Sequence, residues 1–269
     1  MTGRLAIIAC AGDLPVLLHE HVPDAMVVTF AGIESALGPV SQRHSLEKIG
    51  QLFAAMQAEG VRDVIFAGAL TRPALNPAEF DQAMMAIAPR LMAAMSLGDD
   101  GLLRTVIDVF EEQGFIVRGV LDVRPDLVAS AELAIGPDPT PSEEKDIARA
   151  TEILKQLAPI DVGQGCAVAG GQCLGIETVQ GTDAVLGFVA QTPAQYRQGG
   201  LRGVYVKATK TGQDLRMDMP VIGPDTINAV AKAGLAGMVV EAGRVLIIDR
   251  EATAAAAQSA EIFLCARAF

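Results

Sequence analysis

The segment from Leu5 to Pro15, LAIIACAGDLP, decides the fold class of this chain. Its first part, Leu5–Cys10, is a continuous apolar run, as expected for a strand buried on both faces of a parallel sheet. Gly12 then provides a turn in which backbone N–H groups can approach a phosphate or a ribose at the start of a helix. The dinucleotide pattern G-x-G-x-x-G is not formed, so a tight strand-to-helix connection explains the turn equally well. Gly12 is a candidate substrate-binding residue.

The same alternation continues through the first half of the chain. Short apolar runs bounded by Gly, Pro or Asp predict strands, and the longer stretches between them have helical spacing. The repetition predicts an α/β fold whose N-terminal domain, residues 1–132, is a Rossmann-like parallel sheet with covering helices. The further strands are predicted at Ala25–Phe30, Val64–Ala67 and Ile116–Gly119, and the helices at Leu14–Glu20, Leu46–Glu59, Pro77–Pro89 and Leu102–Gln113.

A change of composition separates the two halves. Residues 133–146 are rich in proline and then in acids, which predicts a solvated linker. Strand-like and helical segments follow in a less regular order and predict a mixed α+β C-terminal domain over residues 147–269. Its strands are predicted at Cys166–Ala169, Cys173–Val179, Gly203–Ala208, Met238–Val239 and Val245–Asp249, and its helices at Ala148–Leu157, Gly181–Ala190, Thr226–Ala233 and Glu251–Phe269.

The charge balance restricts the partners. The 269 residues contain 21 Lys and Arg against 32 Asp and Glu, a formal net charge of −11. Such a chain is a poor candidate for binding nucleic acid, because that affinity comes largely from cations on phosphates. An anionic substrate must then meet a local basic cluster or a metal ion. The four cysteines lack zinc-site spacing and are expected to be buried thiols in a reducing compartment.

Polar residues follow two predicted strands of the first domain. Thr71 and Arg72 come soon after Val64–Ala67, and Asp122 follows Ile116–Gly119. Open α/β sheets bind ligands at the carboxyl ends of their strands. The forked guanidinium of Arg72 suits a phosphate, with a surface ion pair as the alternative, and the Asp122 carboxylate suits a sugar hydroxyl. All three are candidate substrate-binding residues.

Residues 207–216 carry three cations, hydroxyls and an amide in an otherwise acidic chain. This composition favours an anion-binding segment, and a charged hairpin at the surface is the alternative. A second polar group, at residues 180–183, stands at a strand end before a helix. The candidate substrate-binding residues of this half are Thr182, Asp183, Lys207, Lys210, Gln213 and Arg216.

Asp225 follows a Gly-Pro turn at the predicted start of a helix. As an N-cap it would stabilise that helix by about 1 kcal/mol. Beside a phosphate-binding segment the same carboxylate could ligate Mg²⁺ or orient an attacking water. Gly98-Asp99-Asp100 presents a similar choice between a helix cap and a pair close to a metal ion. Asp225 is the candidate catalytic residue and metal ligand.

Seven motifs occur in this order along the chain: Gly12-Asp13-Leu14-Pro15, Gly98-Asp99-Asp100, Asp161-Val162-Gly163-Gln164, Glu177-(x3)-Gly181-Thr182-Asp183, Lys207-(x5)-Gln213-Asp214-Leu215-Arg216, Ile222-Gly223-Pro224-Asp225-Thr226 and Glu241-Ala242-Gly243. Together they resemble the LpxI-type UDP-2,3-diacylglucosamine pyrophosphatases, and the resemblance extends over the whole chain. The motifs of the second half are the specific ones, because the N-terminal glycine turn is common to many α/β proteins.

The resemblance implies a hydrolase of lipid A synthesis. Members of the family are Mg²⁺-dependent, and they hydrolyse UDP-2,3-diacylglucosamine to UMP and 2,3-diacylglucosamine 1-phosphate (lipid X) by attack of water on the β-phosphorus. The position carried over as the essential catalytic carboxylate is Asp225. We expect the N-terminal candidates on one wall of an interdomain cleft and residues 207–216 on the other.

The acyl chains of such a substrate need an apolar surface. Residues 83–95 offer adaptable methionine side chains at positions 84, 85, 92 and 95, although methionine at helical spacing is also ordinary core.

The expected partners are the acylated UDP-sugar, a membrane surface in transient contact and a second copy in a homodimer, without nucleic acid. We expect a cytoplasmic protein, because no run of about 18 apolar residues is present to span a membrane. We also expect it to be peripheral at the inner membrane. A Rossmann-type oxidoreductase and a non-catalytic nucleotide or lipid carrier are the alternative functions.

Overall fold

The computed structural model describes residues 3–70, 73–95, 98–197, 200–210 and 212–269. The chain forms two compact units. Unit 1 comprises the chain up to Pro125 together with Asp214–Asp218, and unit 2 comprises Asp126–Gln213 and Met219–Phe269. The predicted fold class is confirmed, since unit 1 holds a parallel sheet and unit 2 a mixed one.

The described residues of unit 1 form five strands and five α-helices. The strands are β1 (Arg4–Ala9), β2 (Met26–Phe30), β3 (Gln42–His44), β4 (Val61–Ala67) and β5 (Ile116–Arg118), and the helices are α1 (Leu14–His21), α2 (Ile49–Ala58), α3 (Gln82–Met95), α4 (Asp99–Glu112) and α5 (Val120–Val123). All neighbouring strands are parallel, in the order β3-β2-β1-β4-β5. The order reverses between β1 and β4, and such a switch point is where open α/β sheets form a ligand crevice.

The core of unit 1 follows from its apolar runs. Every residue of β2 is buried, as is β1 after its first residue, which explains why neither strand alternates polar and apolar residues. Helices α2 and α4 pack through aromatic rings: the ring centroids of Phe53 and Phe110 lie 5.1 Å apart, edge to face. Phe66 of β4 contacts Phe110 in the same way at 5.0 Å, so this cluster joins both helices to the sheet.

In unit 2 the described residues form eight strands and four α-helices. The strands are β6 (Ala134–Ile135), β7 (Gly165–Ala169), β8 (Gln172–Ile176), β9 (Val204–Lys207), β10 (Val221–Ile222), β11 (Gly237–Glu241), β12 (Leu246–Ile247) and β13 (Phe263–Arg267), and the helices are α6 (Pro141–Leu157), α7 (Gly181–Ala190), α8 (Pro224–Lys232) and α9 (Arg250–Ser259). The main sheet has the order β6-β13-β11-β9-β7-β8, and β10 and β12 form a separate parallel pair.

Two apolar clusters cover the opposite faces of the main sheet in unit 2. One includes α6, and the other includes α7, α8 and α9. Strand β9 shows the alternation, because Val204 and Val206 belong to the α6 side and Tyr205 to the α7–α9 side. Successive side chains of a strand point to opposite faces, so Lys207 shares the face of Tyr205.

The C-terminal segment differs from its prediction. The expected helix Glu251–Phe269 is wrong: α9 ends at Ser259, Glu261 has a positive φ of 52°, and β13 follows. Strand β13 pairs with β11 on one side and β6 on the other, and Phe263 to Ala266 are buried. Pairing on both sides outweighs the helix propensity of this Ala-bearing segment.

The segment predicted as a linker is ordered within unit 2. It contains β6 and the first turns of α6, whose start is a capping box between Thr140 and Glu143. The Thr140 N–H donates to the Glu143 carboxylate at 2.7 Å, and the Glu143 N–H donates to the Thr140 hydroxyl at 3.4 Å. The chain therefore passes from unit 1 to unit 2 between Pro125 and Asp126, before the predicted linker begins.

Candidate functional site

Four strands of unit 2 end at one edge of its sheet. Strands β8 and β9 both run antiparallel to β7, and β9, β11 and β13 are parallel. Glu177 follows β8, Lys207 is the last residue of β9, and Glu241 is the last residue of β11. These three charged residues therefore lie along one edge, which we call the unit 2 edge.

A network of four side chains, of which Glu177, Tyr205 and Lys207 are buried, lies at this edge. The Lys207 Nζ is 3.0 Å from Oε2 of Glu177 and 2.6 Å from the Thr182 hydroxyl. The same carboxylate oxygen accepts from the Tyr205 hydroxyl at 2.7 Å and from the Thr182 hydroxyl at 3.0 Å. Lys207 is only 3% exposed and Glu177 8%. We call these four residues the Glu177 cluster.

Burial determines the charge state of the Tyr205 phenol. It raises the pKa of Tyr205 well above its usual value, and the negative charge of Glu177 raises that pKa further. The phenol therefore stays protonated and donates to Glu177. Because Lys207 is paired with Glu177, its charge serves first to balance a buried carboxylate and to hold the Thr182 hydroxyl.

Gly165 makes room for the Glu177 cluster. A Cβ atom at this position would overlap the Tyr205 hydroxyl and the Glu177 carboxylate. The backbone also connects them, because the Glu177 N–H donates to the Gly165 carbonyl at 2.8 Å. Only glycine fits here without displacing the cluster.

The segment after β9 is held by a second carboxylate. Both the N–H and the hydroxyl of Thr209 donate to Oε2 of Glu241, at 2.8 and 2.7 Å. Lys210 pairs with Asp161 at 2.5 Å, and its N–H donates to the buried Gln213 side chain at 3.0 Å. The predicted residues Lys210 and Gln213 thus lie together, and each has a partner within unit 2.

Helices α7 and α8 run in the same direction. The Arg197 guanidinium donates to Val189 O in the last turn of α7 at 3.0 Å, and to Ala233 O and Gly234 O beyond α8 at 2.6 and 3.2 Å. Because α7 begins shortly after Glu177, both N-termini face the unit 2 edge. The positive ends of both helix dipoles therefore lie toward this edge, which favours an anion there.

Asp225 and Asp183 lie in the first turns of these two helices. Both are exposed. The N-cap of α8 is Gly223, whose N–H donates to the Thr226 hydroxyl at 3.4 Å, so Asp225 is not the N-cap. Its carboxylate faces solvent at a helix N-terminus, where a negative charge is stabilised.

The switch point of unit 1 is formed by backbone. Gly12 has a positive φ of 94° in the turn after β1, and the neighbouring residue Ala11 exchanges hydrogen bonds with Ala69 after β4. A Cβ at Gly68 would overlap the Ala11 carbonyl, so the turns approach as closely as a glycine permits. The predicted residues Thr71 and Arg72 follow this turn and lie outside the described residues.

Asp122 and Arg216 are both placed in unit 1. Asp122 lies in α5, directly after β5. Its carboxylate accepts at 2.9 Å from the N–H of Gly119, the N-cap of that helix. The Arg216 guanidinium donates two hydrogen bonds to the Asp214 carboxylate, at 3.0 and 2.7 Å, and one to Glu111 at 2.8 Å. The hydrogen bonds to Asp214 raise the pKa of Arg216 and lower that of Asp214. Arg216 therefore belongs to unit 1, whereas Lys207 and Lys210 belong to unit 2.

The paired acids lie at the start of α4, whose N-cap is Gly98 and neither aspartate. Asp99 and Asp100 stand in the first turn of α4, and Asp100 accepts from Arg104 at 2.7 Å. Among the described residues no three ligating side chains form a ready metal site. Mg²⁺ is usually held by one or two carboxylates together with substrate phosphates, so the exposed Asp225 carboxylate fits that ion.

Sequence reasoning missed three residues of the site. Tyr205 could have been found from the strand alternation that places it on the face of Lys207. Glu177 was recognised in a motif and given no role, and Arg197 carries no local signal because its partners are distant backbone carbonyls.

Comparison with known proteins covers both units. The family model of the LpxI N-terminal domain matches residues 4–127, and that of the LpxI C-terminal domain matches residues 131–265. The chain is also 37% identical over 269 residues to the UDP-2,3-diacylglucosamine pyrophosphatase LpxI of Caulobacter vibrioides, with 97% of this chain and 96% of that protein covered.

Proposed function

Because the chain belongs to the LpxI family, we propose that it hydrolyses the pyrophosphate of UDP-2,3-diacylglucosamine to UMP and 2,3-diacylglucosamine 1-phosphate. In this proposal a water attacks the β-phosphorus with Mg²⁺ assistance. The observation that carries the proposal is the match of both family domains, in the same order, along the chain.

The geometry of unit 2 supports a phosphate near Asp225. The N-termini of α7 and α8 both lie toward the unit 2 edge with their partial positive charge, and the Asp225 carboxylate is exposed in the first turn of α8. We assign Asp225 to orient the attacking water and accept its proton. When bound, Mg²⁺ would be held by this carboxylate and the phosphates and would polarise a phosphoryl oxygen.

The Glu177 cluster adds a positioned hydroxyl group at the unit 2 edge. Lys207 and Glu177 balance each other, and together they fix the Thr182 hydroxyl at the start of α7. Thr182 is therefore the cluster member best placed to contact a phosphate oxygen. Lys210 and Gln213 remain candidate substrate-binding residues of unit 2, and Gly12, Thr71, Arg72, Asp122 and Arg216 of unit 1.

Of the four methionines predicted to contact the acyl chains, one is buried in the structure. Met84 is 3% exposed and belongs to the core of unit 1, so it is not available to an acyl chain. Met85, Met92 and Met95 of α3 are 58%, 71% and 43% exposed. We propose this face of α3 as the acyl-chain surface.

Membrane association belongs to the proposal as well. Among the described residues, no helix combines the length and apolar character that a membrane span requires. We propose that the protein contacts the inner membrane transiently and peripherally to collect its acylated substrate. We also propose that it assembles as a homodimer.

Incubation with UDP-2,3-diacylglucosamine in ¹⁸O-water, with Mg²⁺ or with a chelator, tests the function. Phosphorus NMR should show UMP and the sugar 1-phosphate, with ¹⁸O in the sugar phosphate and turnover lost with the chelator. Binding without UMP release would identify a carrier, and ¹⁸O in UMP would overturn attack on the β-phosphorus. Turnover that persists with the chelator would overturn the role of Mg²⁺.

A further inference from the structure

Two thiols lie next to each other in unit 2. All four cysteines are within the described residues and are free thiols. The Sγ atoms of Cys166 on β7 and Cys173 on β8 are 3.8 Å apart, which is hydrogen-bonding distance for sulfur. Cys166 is fully buried and Cys173 is exposed. The pair therefore combines an accessible thiol with a buried neighbour.

The hairpin carrying the pair is irregular at this point. The pairing register of β7 and β8 shifts between Ala167 and Val168. Cys173 pairs with Val168, which lies on the same face of β7 as Cys166, so both thiols point to one side of the hairpin. Bond formation requires the sulfur atoms to approach to about 2.05 Å, and a bulged hairpin adapts more easily than a regular ladder.

The surroundings activate the exposed thiol. The hydrogen bond with Cys166 lowers the pKa of Cys173 to about 6, against the effect of partial burial. A backbone hydrogen bond of Gly175 and the positive charge of Arg149 act in the same direction. The hydrogen bond and burial raise the pKa of Cys166, so Cys173 carries the thiolate and Cys166 keeps its proton.

We propose that Cys166 and Cys173 form an oxidation site at which a peroxide converts the two thiols to an intramolecular disulfide. The Cys173 thiolate attacks one peroxide oxygen, the O–O bond breaks, and hydroxide leaves and takes up a proton to form water. Cys166 then attacks the resulting sulfenic sulfur, the S–S bond forms, and the S–O bond breaks. The released hydroxide takes the Cys166 proton and leaves as a second water. Two thiols are oxidised and one peroxide is reduced.

The oxidation site is connected to the Glu177 cluster. Cys166 is next to Gly165, whose carbonyl accepts from the Glu177 N–H and whose Cα lies against the Tyr205 hydroxyl. Closing the disulfide pulls on both strands that hold Glu177, so we expect the hydrogen bond of Tyr205 to change with it.

Peptide mass spectrometry of the full chain treated with hydrogen peroxide tests the chemistry without any measurement of hydrolysis. Cys166 and Cys173 lie on one tryptic peptide between Lys155 and Arg197. This peptide should lose two hydrogen atoms, resist alkylation and regain both thiols with a reductant. A Cys173 oxidised to sulfinic or sulfonic acid without a disulfide, or an unchanged pair, would overturn the proposal.

Three variants separate the pair from other thiols. Cys173→Ser changes an exposed position and should abolish the disulfide while the protein stays folded, and Cys166→Ala should leave Cys173 to over-oxidise. Cys265→Ala is the matched control, since Cys265 is buried in the same apolar cluster as Cys166, and it should form the disulfide as the parent does. Disulfide formation in Cys173→Ser, or its loss in Cys265→Ala, would assign the oxidation to different thiols.

Tyrosine fluorescence tests the connection to the cluster. The chain has no Trp and two Tyr, so a Tyr196→Phe variant reports on Tyr205 alone. Its emission should change on oxidation, return with reductant and stay constant when Cys166→Ala is added. A disulfide that forms with no change in Tyr205 emission would show that the oxidation site is not coupled to the cluster.

Discussion

The carboxyl edge of the unit 1 sheet is formed by backbone atoms, and that of the unit 2 sheet by charged side chains. In unit 1 the turns after β1 and β4 approach each other through backbone atoms, with glycines at residues 12 and 68. In unit 2 the edge is built from charged side chains, of which Glu177 and Lys207 are almost fully buried. Backbone donors suit recognition of a phosphate or ribose, whereas buried charges hold hydroxyl groups in position.

This difference has a consequence for mutation. A backbone-built edge loses contacts when a side chain is changed, but it keeps its charge balance. A buried ion pair cannot lose one member without leaving the other uncompensated. We therefore expect side-chain substitutions to lower folding stability more at the unit 2 edge than at the unit 1 edge. Asp225 is exposed, so its substitution should lower activity without lowering stability.

The largest expected effect is on turnover by Asp225→Asn. Loss of the group that accepts the proton of water should lower kcat about 10³-fold, while the substrate Kd and the unfolding transition stay near those of the parent. Steady-state kinetics and urea unfolding measure both. Glu251→Gln, an exposed acid in the first turn of α9, is the matched control and should keep kcat. A near-normal kcat for Asp225→Asn would remove this residue from catalysis.

The next effect is on the stability of unit 2. Glu177→Gln or Lys207→Met should each lower the free energy of unfolding by about 3–5 kcal/mol, because each leaves a buried charge unpaired. The double variant should recover part of that loss, which a double-mutant cycle in urea measures. For comparison, Glu59→Gln breaks an exposed ion pair with Arg4 in unit 1 and should cost at most about 1 kcal/mol. Equal losses for the buried and the exposed pair would contradict the distinction between the two units.

The next effect is on KM for the diacylated substrate, through residues of unit 1. Met85→Asp combined with Met92→Asp should raise KM for the diacylated substrate about tenfold, since burial of these side chains against an acyl chain would be lost. UDP-glucosamine without acyl chains should bind these variants as it binds the parent. Val40→Asp, at an apolar position that is 62% exposed, is the control and should not change KM. An unchanged KM in the folded double variant would exclude this face of α3.

Two glycines of unit 2 offer a matched pair. Gly165→Ala places a methyl group on the Tyr205 hydroxyl and should lower stability by about 1–3 kcal/mol. Gly187→Ala, within α7, meets open space and should raise stability by about 0.5–1 kcal/mol, because alanine favours a helix. Differential scanning calorimetry compares them. If both substitutions stabilise, the Glu177 cluster does not require the space at residue 165.

The smallest effect concerns two thiols, one in each unit. Burial raises the pKa of Cys10 in unit 1 to about 11, and the hydrogen bond from Cys166 lowers that of Cys173 in unit 2 to about 6. A thiol reacts as its thiolate, so alkylation of Cys173 should rise with pH through about 6 and level off above it, while Cys10 stays slow. Rates of iodoacetamide labelling, followed by peptide mass spectrometry, measure both. A Cys173 profile centred near the ordinary thiol pKa would contradict the activation by Cys166.

Part of the fold was accessible from the sequence because its signals are local. The strand β1 and the turn at Gly12 follow from a continuous apolar run and a glycine, and the class of both units was predicted correctly. The C-terminal strand was not, since Phe263 to Arg267 become a strand only through pairing with two partners from distant parts of the chain. The candidate site divides in the same way: Lys207 and Asp225 stand out by type and position, while the partner of Lys207 lies 30 residues earlier, across a strand.

The sequence by itself determined the apolar runs, the turns, the acidic background and the motifs that indicate the family. These properties reside in neighbouring residues or in their order. Only the tertiary structure decided which cations pair with carboxylates distant in the sequence: Lys207 with Glu177 in unit 2, and Arg216 with Glu111 in unit 1. The reason is physical, because the energy of a charge depends on its burial and its partners, and both are set by segments that meet only after folding.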